Sequence, residues 1–132
     1  TPWGLVGLTI CYDIRFPLLY RDLAKAGARI IFIPSAFTEV TGEAHWHVLQ
    51  RARAIENGCF IVSAAQTGIH EQKRKTFGHS IIIDPWGNVL ADADKDVGFI
   101  TADLDLNLVD EARNKIPSLT HDRDYSKSFP AF

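Results

Sequence analysis

The sequence predicts an α/β domain. Three apolar runs, Leu5–Cys11, Ala28–Ile33 and Cys59–Ala65, are nearly unbroken, as in strands buried on both faces. Helical spacing fills the two intervals between them. Strand, helix, strand in that order makes a βαβ unit and a parallel pair.

Each element has a local cause. A helix is expected over 16–26, because Leu19, Leu23 and Ala26 recur at helical spacing and Pro17 falls in the first turn. Gly27 ends it. A second helix is expected over Glu43–Asn57, capped by Thr41, with Val48, Leu49, Ala52 and Ile55 as its apolar stripe and Gly58 as its stop. Gln66–Phe77 is polar and reads as a loop. Asp84-Pro85-Trp86-Gly87 has Asp first, Pro second and Gly fourth, the pattern of a type I turn. Ser80–Ile83 and Val89–Ala91 therefore pair as a hairpin. Gly98–Leu104 reads as a last strand and Leu106–Asn114 as a short helix. From Pro117 onward the chain is polar, with Tyr125, Phe129 and Phe132 scattered along it. Both helices can cover one sheet face. The other face is equally apolar and calls for a cover that these elements are too few to supply.

The length of 132 residues suits one domain, and 46% hydrophobic with 23% charged residues suits a globular one. A net charge of -2 and a pI of about 6.2 give no basic surplus for nucleic acid or anionic lipid. Lys73-Arg74-Lys75 reads as a solvated loop. No apolar run is long enough to span a bilayer, and no signal peptide is visible. Two cysteines do not make a disulfide framework, so a reducing, cytoplasmic setting is expected. The chain opens Thr1-Pro2-Trp3-Gly4, contains no methionine and enters its first strand almost at once. It reads as part of something longer.

Cys11 is the first candidate for chemistry. It ends a buried strand just before a helix start, a corner that lifts a side chain to the rim of a sheet. Free N–H groups there favour a thiolate and a developing oxyanion. Packing as a small hydrophobe is the competing reading, and for Cys59, at the opposite rim, it is the better one. His45, His47 and His79 are candidate partners for a Cys–His pair. His45 and His47 are two apart and share no helix face, and no spacing supplies a third and fourth ligand, so no metal site is expected. Arg15, Arg51, Arg53 and Glu56 read as structural charges, with Glu56 reaching Arg53 at i, i+3 or Arg15.

Six segments together resemble a known family. Cys11-Tyr12-Asp13-Ile14-Arg15-Phe16-Pro17 resembles the nucleophile segment of the nitrilase superfamily of carbon–nitrogen hydrolases. Pro34-Ser35-Ala36-Phe37-Thr38, Thr41-Gly42-Glu43-Ala44-His45-Trp46, Arg51-Ala52-Arg53-Ala54-Ile55-Glu56-Asn57, Gly78-His79-Ser80 and Asp84-Pro85-Trp86-Gly87 follow in the family's order. Tyr12-Asp13 after the cysteine resembles the amidase-type branch, which includes omega-amidases and deaminated-glutathione amidases. Many members have Glu where this chain has His47.

The resemblance implies the C-terminal half of an α-β-β-α sandwich, with 1–132 as the second part of one carbon–nitrogen hydrolase domain. It implies hydrolysis of a small carboxylic-acid amide through a thioester on Cys11, with the Tyr12 backbone N–H holding the oxyanion. The family's Glu and Lys lie upstream of the cysteine, and neither type occurs among the ten residues before Cys11. Phe37 and Thr38 are expected to line the substrate site. No metal or organic cofactor is implied, and the complete protein is expected to be a homodimer that binds neither nucleic acid nor membrane. The rival readings are a non-catalytic fragment or pseudoenzyme that only binds a ligand or partner, and a Cys–His hydrolase using His45 or His79.

Overall fold

The computed structural model describes residues 1–124; Tyr125, Phe129 and Phe132 lie outside the described residues. In chain order the elements are β1 (Leu5–Leu8), α1 (Pro17–Lys25), β2 (Ala28–Phe32), α2 (Glu39–Asn57) and β3 (Phe60–Ser63). There follow β4 (Thr67–Ile69), β5 (Lys75–Phe77), β6 (Ile81–Ile83), β7 (Val89–Asp92) and α3 (Asn107–Lys115). The apolar runs form one five-stranded sheet in the order β1-β2-β3-β6-β7. β1, β2 and β3 are parallel, as their helical crossovers require, and β3, β6 and β7 are antiparallel.

Helices α1 and α2 cover one sheet face. Tyr20 from α1 and Trp46 from α2 are fully buried there with Ile31, Ile61 and Ile83 of the strands. Each such side chain contributes about 1.5–3 kcal/mol by leaving water. Ser63 Oγ donates to Gln50 Oε1 at 2.8 Å, tying β3 to α2 within this layer. The opposite face is only partly covered. There Trp3, Val6, Ile30, Phe32, Leu104 and Leu106 line a cleft of about 320 Å³.

The turn after β6 forms as its sequence dictates. Gly87 N–H donates to the Asp84 carbonyl at 3.0 Å, and Asp84 Oδ1 accepts from the N–H groups of Trp86 and Asn88. Arg51 Nε donates to Gly87 O at 2.8 Å and docks the turn on α2. After α3 the chain returns over α1, where Arg21 and Lys25 both donate to the Asp122 carboxylate.

Four expectations need correction. Val48 and Ile55, expected on the apolar stripe of α2, are exposed, and Trp46, Gln50, Arg53 and Ala54 form the buried face instead. Residues 98–104 form no strand, because no neighbouring strand offers a ladder; Val97 and Phe99 stand 93% and 90% exposed. The 66–77 segment is not all loop but holds the β4–β5 hairpin, with Thr67 opposite Phe77 and Ile69 opposite Lys75. Helix α2 starts at Glu39, about a turn before Glu43, with Thr38 as its N-cap. The last two differences meet at one contact. Phe77 of β5 packs directly on Gly42 of α2, and a Cβ built on Gly42 would sit 2.2 Å from Phe77 Cβ. Only glycine permits that approach. Lys73, Arg74 and Lys75 are exposed, in line with a solvated turn.

This contact yields a test. Alanine in a helix interior is better than glycine by about 1 kcal/mol on propensity alone. Overpacking costs about 1–3 kcal/mol and is the larger effect here. Gly42→Ala is therefore expected to lower the urea midpoint of the complete protein. A raised midpoint would mean that Phe77 yields freely and that the contact does not define the hairpin's position.

Candidate active site

Strand β1 ends at Leu8, three residues short of Cys11, but its hydrogen bonding runs on. Thr9 N–H donates to Phe32 O at 3.0 Å and Cys11 N–H donates to Pro34 O at 2.9 Å. The chain then tightens into a 3-10 turn over Cys11–Arg15. Asp13 sets that turn, since its carboxylate accepts from Ile10 N–H at 2.9 Å while its own N–H donates to Ile10 O at 2.9 Å. At the junction Cys11 adopts φ 45°, the left-handed region. A non-glycine residue held there costs on the order of 1–3 kcal/mol and persists only where its surroundings over-determine it.

Those surroundings are identifiable. Before Cys11, the Thr9 hydroxyl bonds the Tyr20 hydroxyl at 2.8 Å and donates to Phe32 O at 3.1 Å. Burial is the main reason the Tyr20 phenol is pushed up to about 12, so it stays a neutral partner. After Cys11, the buried Arg53 of α2 donates from Nε and Nη2 to Ile14 O at 2.9 and 2.7 Å. Its third nitrogen donates to Glu56 at 2.9 Å, the i, i+3 pair expected from the sequence. Arg15 is not bonded to Glu56. Its guanidinium lies over the rings of Tyr12 and Phe37 and reaches 3.3 Å from His45 Nδ1.

Cys11 stands between two open clefts. The larger, about 530 Å³, is lined by Cys11, Pro34, Ser35, Ala65, Gln66 and Ser80 among others. The smaller, about 220 Å³, is lined by Cys11, Tyr12, Arg15, Phe37, Thr38 and Thr41 among others. Phe37 and Thr38 thus share the rim with Cys11, although Phe37 is buried with its ring edge-on to Trp46 at 5.0 Å. The first N–H groups of a helical turn lack partners inside it. Those of Cys11 and Asp13 are taken by Pro34 O and Ile10 O; among the described residues that of Tyr12 has no acceptor. It is free for an incoming anion. Sequence reasoning passed over Ser35, Gln66 and Ser80. The first two follow β2 and β3, and the carboxyl ends of parallel strands were the signal that marks them.

The histidines lie elsewhere. Neither His45 nor His79 lines either cleft. His79 donates from Nδ1 to Asp92 Oδ1 at 2.9 Å, and His47 donates from Nε2 to Asp92 Oδ2 at 2.8 Å. Burial works to raise the Asp92 carboxyl, but hydrogen bonds from His47, the Asp94 N–H and His79 outweigh it and hold it low. Chain spacing showed no ligand set, yet folding gathers these three side chains, and their ligand atoms lie within 4.8 Å of one another. Cys59 is fully buried at the other rim, where Arg113 donates to its sulfur at 3.0 Å and burial pushes its thiol up. No helix among the described residues is long and apolar enough to cross a membrane. In the complete native protein, iodoacetamide is expected to label Cys11 first and Cys59 only on unfolding, as read by peptide mass. Faster labelling of Cys59 would contradict the geometry.

Comparison with known proteins gives the same grouping as the motifs. A sequence profile described as carbon-nitrogen hydrolase matches residues 1–114. The deaminated glutathione amidase of Synechocystis sp. (strain PCC 6803 / GT-S) is 50% identical over 119 residues, 90% of this chain and 44% of that protein. The crystal structure of the Caenorhabditis elegans NitFhit protein superposes with a TM-score of 0.89 at 51% identity, covering 93% of this chain and 30% of that one. A glutamate-to-glutamine mutant of the amidase from Nesterenkonia sp. AN1, with acrylamide added at its active site cysteine, gives a TM-score of 0.68. There the identity is 28%, over 85% of this chain and 43% of that one. The chain spans less than half the length of the curated relatives it matches. From the motifs, the mixed sheet and these likenesses, the chain belongs to the carbon–nitrogen hydrolase family, within the nitrilase superfamily.

Proposed function

We propose that the complete protein hydrolyses the carbon–nitrogen bond of a small carboxylic-acid amide, with Cys11 as the nucleophile. The observation that carries this is Cys11 itself, strained at φ 45°, placed at the rim between two open clefts and followed by a free backbone N–H. Relatives named as amidases support it. The Cys11 sulfur attacks the amide carbon once a base has taken its proton, and the carbonyl oxygen becomes an oxyanion. The Tyr12 N–H donates to that oxygen. Collapse of the tetrahedral species breaks the carbon–nitrogen bond, ammonia leaves with a proton from the general acid, and a thioester remains on Cys11. Water then attacks the thioester, giving the free acid and the thiol.

Two groups in this scheme are a glutamate that moves the protons and a lysine that shares the oxyanion. The resemblance implies both, and we assign them to the part of the domain outside residues 1–132, which we take as its second part. Phe37 and Thr38 line the acyl side of the site in this reading. The complete protein works in the cytoplasm and assembles as a homodimer. Light scattering at micromolar concentration is expected to give twice the chain mass, and a monomer mass would refute the assembly.

The catalytic test compares ammonia release from short omega-amides by the complete protein, by its Cys11→Ala variant and by residues 1–132 alone. The complete protein is expected to turn over and Cys11→Ala to fall to background, while Cys59→Ser remains active. The isolated chain is expected to be inactive, because it lacks the acid–base group, worth typically about 10²–10⁴ in rate. Turnover by the isolated chain that vanishes with Cys11→Ala would favour the Cys–His reading. No turnover of any amide by the folded complete protein would favour a binding role.

A further inference from the structure

We propose that His47, His79 and Asp92 form a binding site for one divalent transition-metal ion of the zinc class. The ion would be clamped between α2 and the β6–β7 hairpin, outside both clefts beside Cys11. The three ligands come from three separate elements. His47 lies on α2, His79 on the turn entering β6, and Asp92 at the end of β7. Two imidazole nitrogens and one carboxylate are the donor set that suits zinc, cobalt and nickel.

The geometry needs little adjustment. Zinc bonds of about 2.0–2.1 Å place tetrahedral ligand atoms ~3.3 Å apart. Here His47 Nε2 and His79 Nδ1 stand 2.8 and 2.9 Å from the two Asp92 oxygens. The imidazole rings meet edge to face, with centroids 4.8 Å apart and planes at 78°, and the three ligand atoms lie within 4.8 Å of one another. On binding, each neutral imidazole gives its inward nitrogen to the ion, and its proton moves through water to the outer nitrogen.

Outer contacts hold the ligands in place, as metal sites require. The His79 ring stacks on Phe77 at 4.3 Å, its N–H donates to Asp94 O, and its carbonyl accepts from the Trp46 indole at 2.8 Å. His79 is itself held at φ 58°, a left-handed conformation that aims the ring at Asp92. Asp94 N–H donates to Asp92 Oδ1 at 2.8 Å and fixes the carboxylate. The His47 side chain is 37% exposed, which leaves a solvent side for a water as fourth ligand.

The test uses the complete, tag-free protein in a Cys11→Ala background, which removes the half-buried cleft thiol as a competing zinc ligand. After chelator stripping, zinc chloride titration is expected to show one ion per chain and a zinc-dependent rise in Tm. His47→Gln and Asp92→Asn should each weaken binding at least about tenfold. His45→Gln, two residues away on α2, should bind like the parent. A crystal soaked in zinc should show an anomalous peak about 2.0–2.2 Å from His47 Nε2, His79 Nδ1 and Asp92. That measurement needs only the parent, so an unstable variant cannot blur it. No saturable uptake, a peak at another place, or undiminished binding by folded His47→Gln would overturn the site. None of these outcomes bears on amide hydrolysis, which is read separately at Cys11.

Discussion

The site depends on a parallel ladder that outlasts its strand. Beyond Leu8, β1 keeps donating to the β2 side through Thr9 and then Cys11, whose N–H reaches Pro34 O. A parallel pair brings the carboxyl ends of both strands to one rim, so residues that leave each strand there must meet. Cys11 from β1, Ser35 and Phe37 after β2, and Ala65 and Gln66 after β3 therefore share two clefts although they are far apart in the chain. Had the strands been antiparallel, alternate ends would have met and this set would have been split between two rims.

Holding Cys11 in a left-handed conformation requires that the chain on both sides be fixed, and buried polar groups do that. Thr9 and Tyr20 secure the approach, and Arg53 secures the exit by bonding Ile14 O twice. A buried guanidinium is costly unless its donors are met. Here the Ile14 carbonyl and Glu56 meet them, and the Tyr20 ring lies 5.5 Å away. The same α2 carries Trp46 and Gly42, which position His79 and Phe77. One helix thus organises both the cysteine rim and the histidine cluster. A change in its packing reaches each of them.

The two sheet faces differ in how far they are satisfied. On the helix-covered face Tyr20, Trp46, Ile31, Ile61 and Ile83 are fully buried. On the other, Val6, Ile30 and Phe32 line an open cleft with Thr1, Trp3, Leu104 and Leu106. Val97 and Phe99 project from a neighbouring stretch that has strand-like composition but no strand to pair with. Such surface is an interaction surface or a liability. The chain spans less than half the length of the curated relatives it matches.

Much of this was legible in the sequence, because it follows from near neighbours. Unbroken apolar runs give buried parallel strands, Asp84 to Gly87 give a turn, and Gly27 and Gly58 end helices, since each rests on local sterics or period. The position of Cys11 at a strand-to-turn corner was local too. What the sequence did not yield depends on long-range contact. Residues 98–104 have the composition of a strand, but a strand exists only with a partner. The early start of α2 and the β4–β5 hairpin come together where Phe77 packs on Gly42, 35 positions away in the numbering. His47, His79 and Asp92 carry no recognisable spacing, because folding, not periodicity, brings a helix, a turn and a strand end to one point. Sequence determines what each segment can become; only the packed fold decides which side chains meet, since hydrogen bonds and steric contacts act through space over a few ångströms.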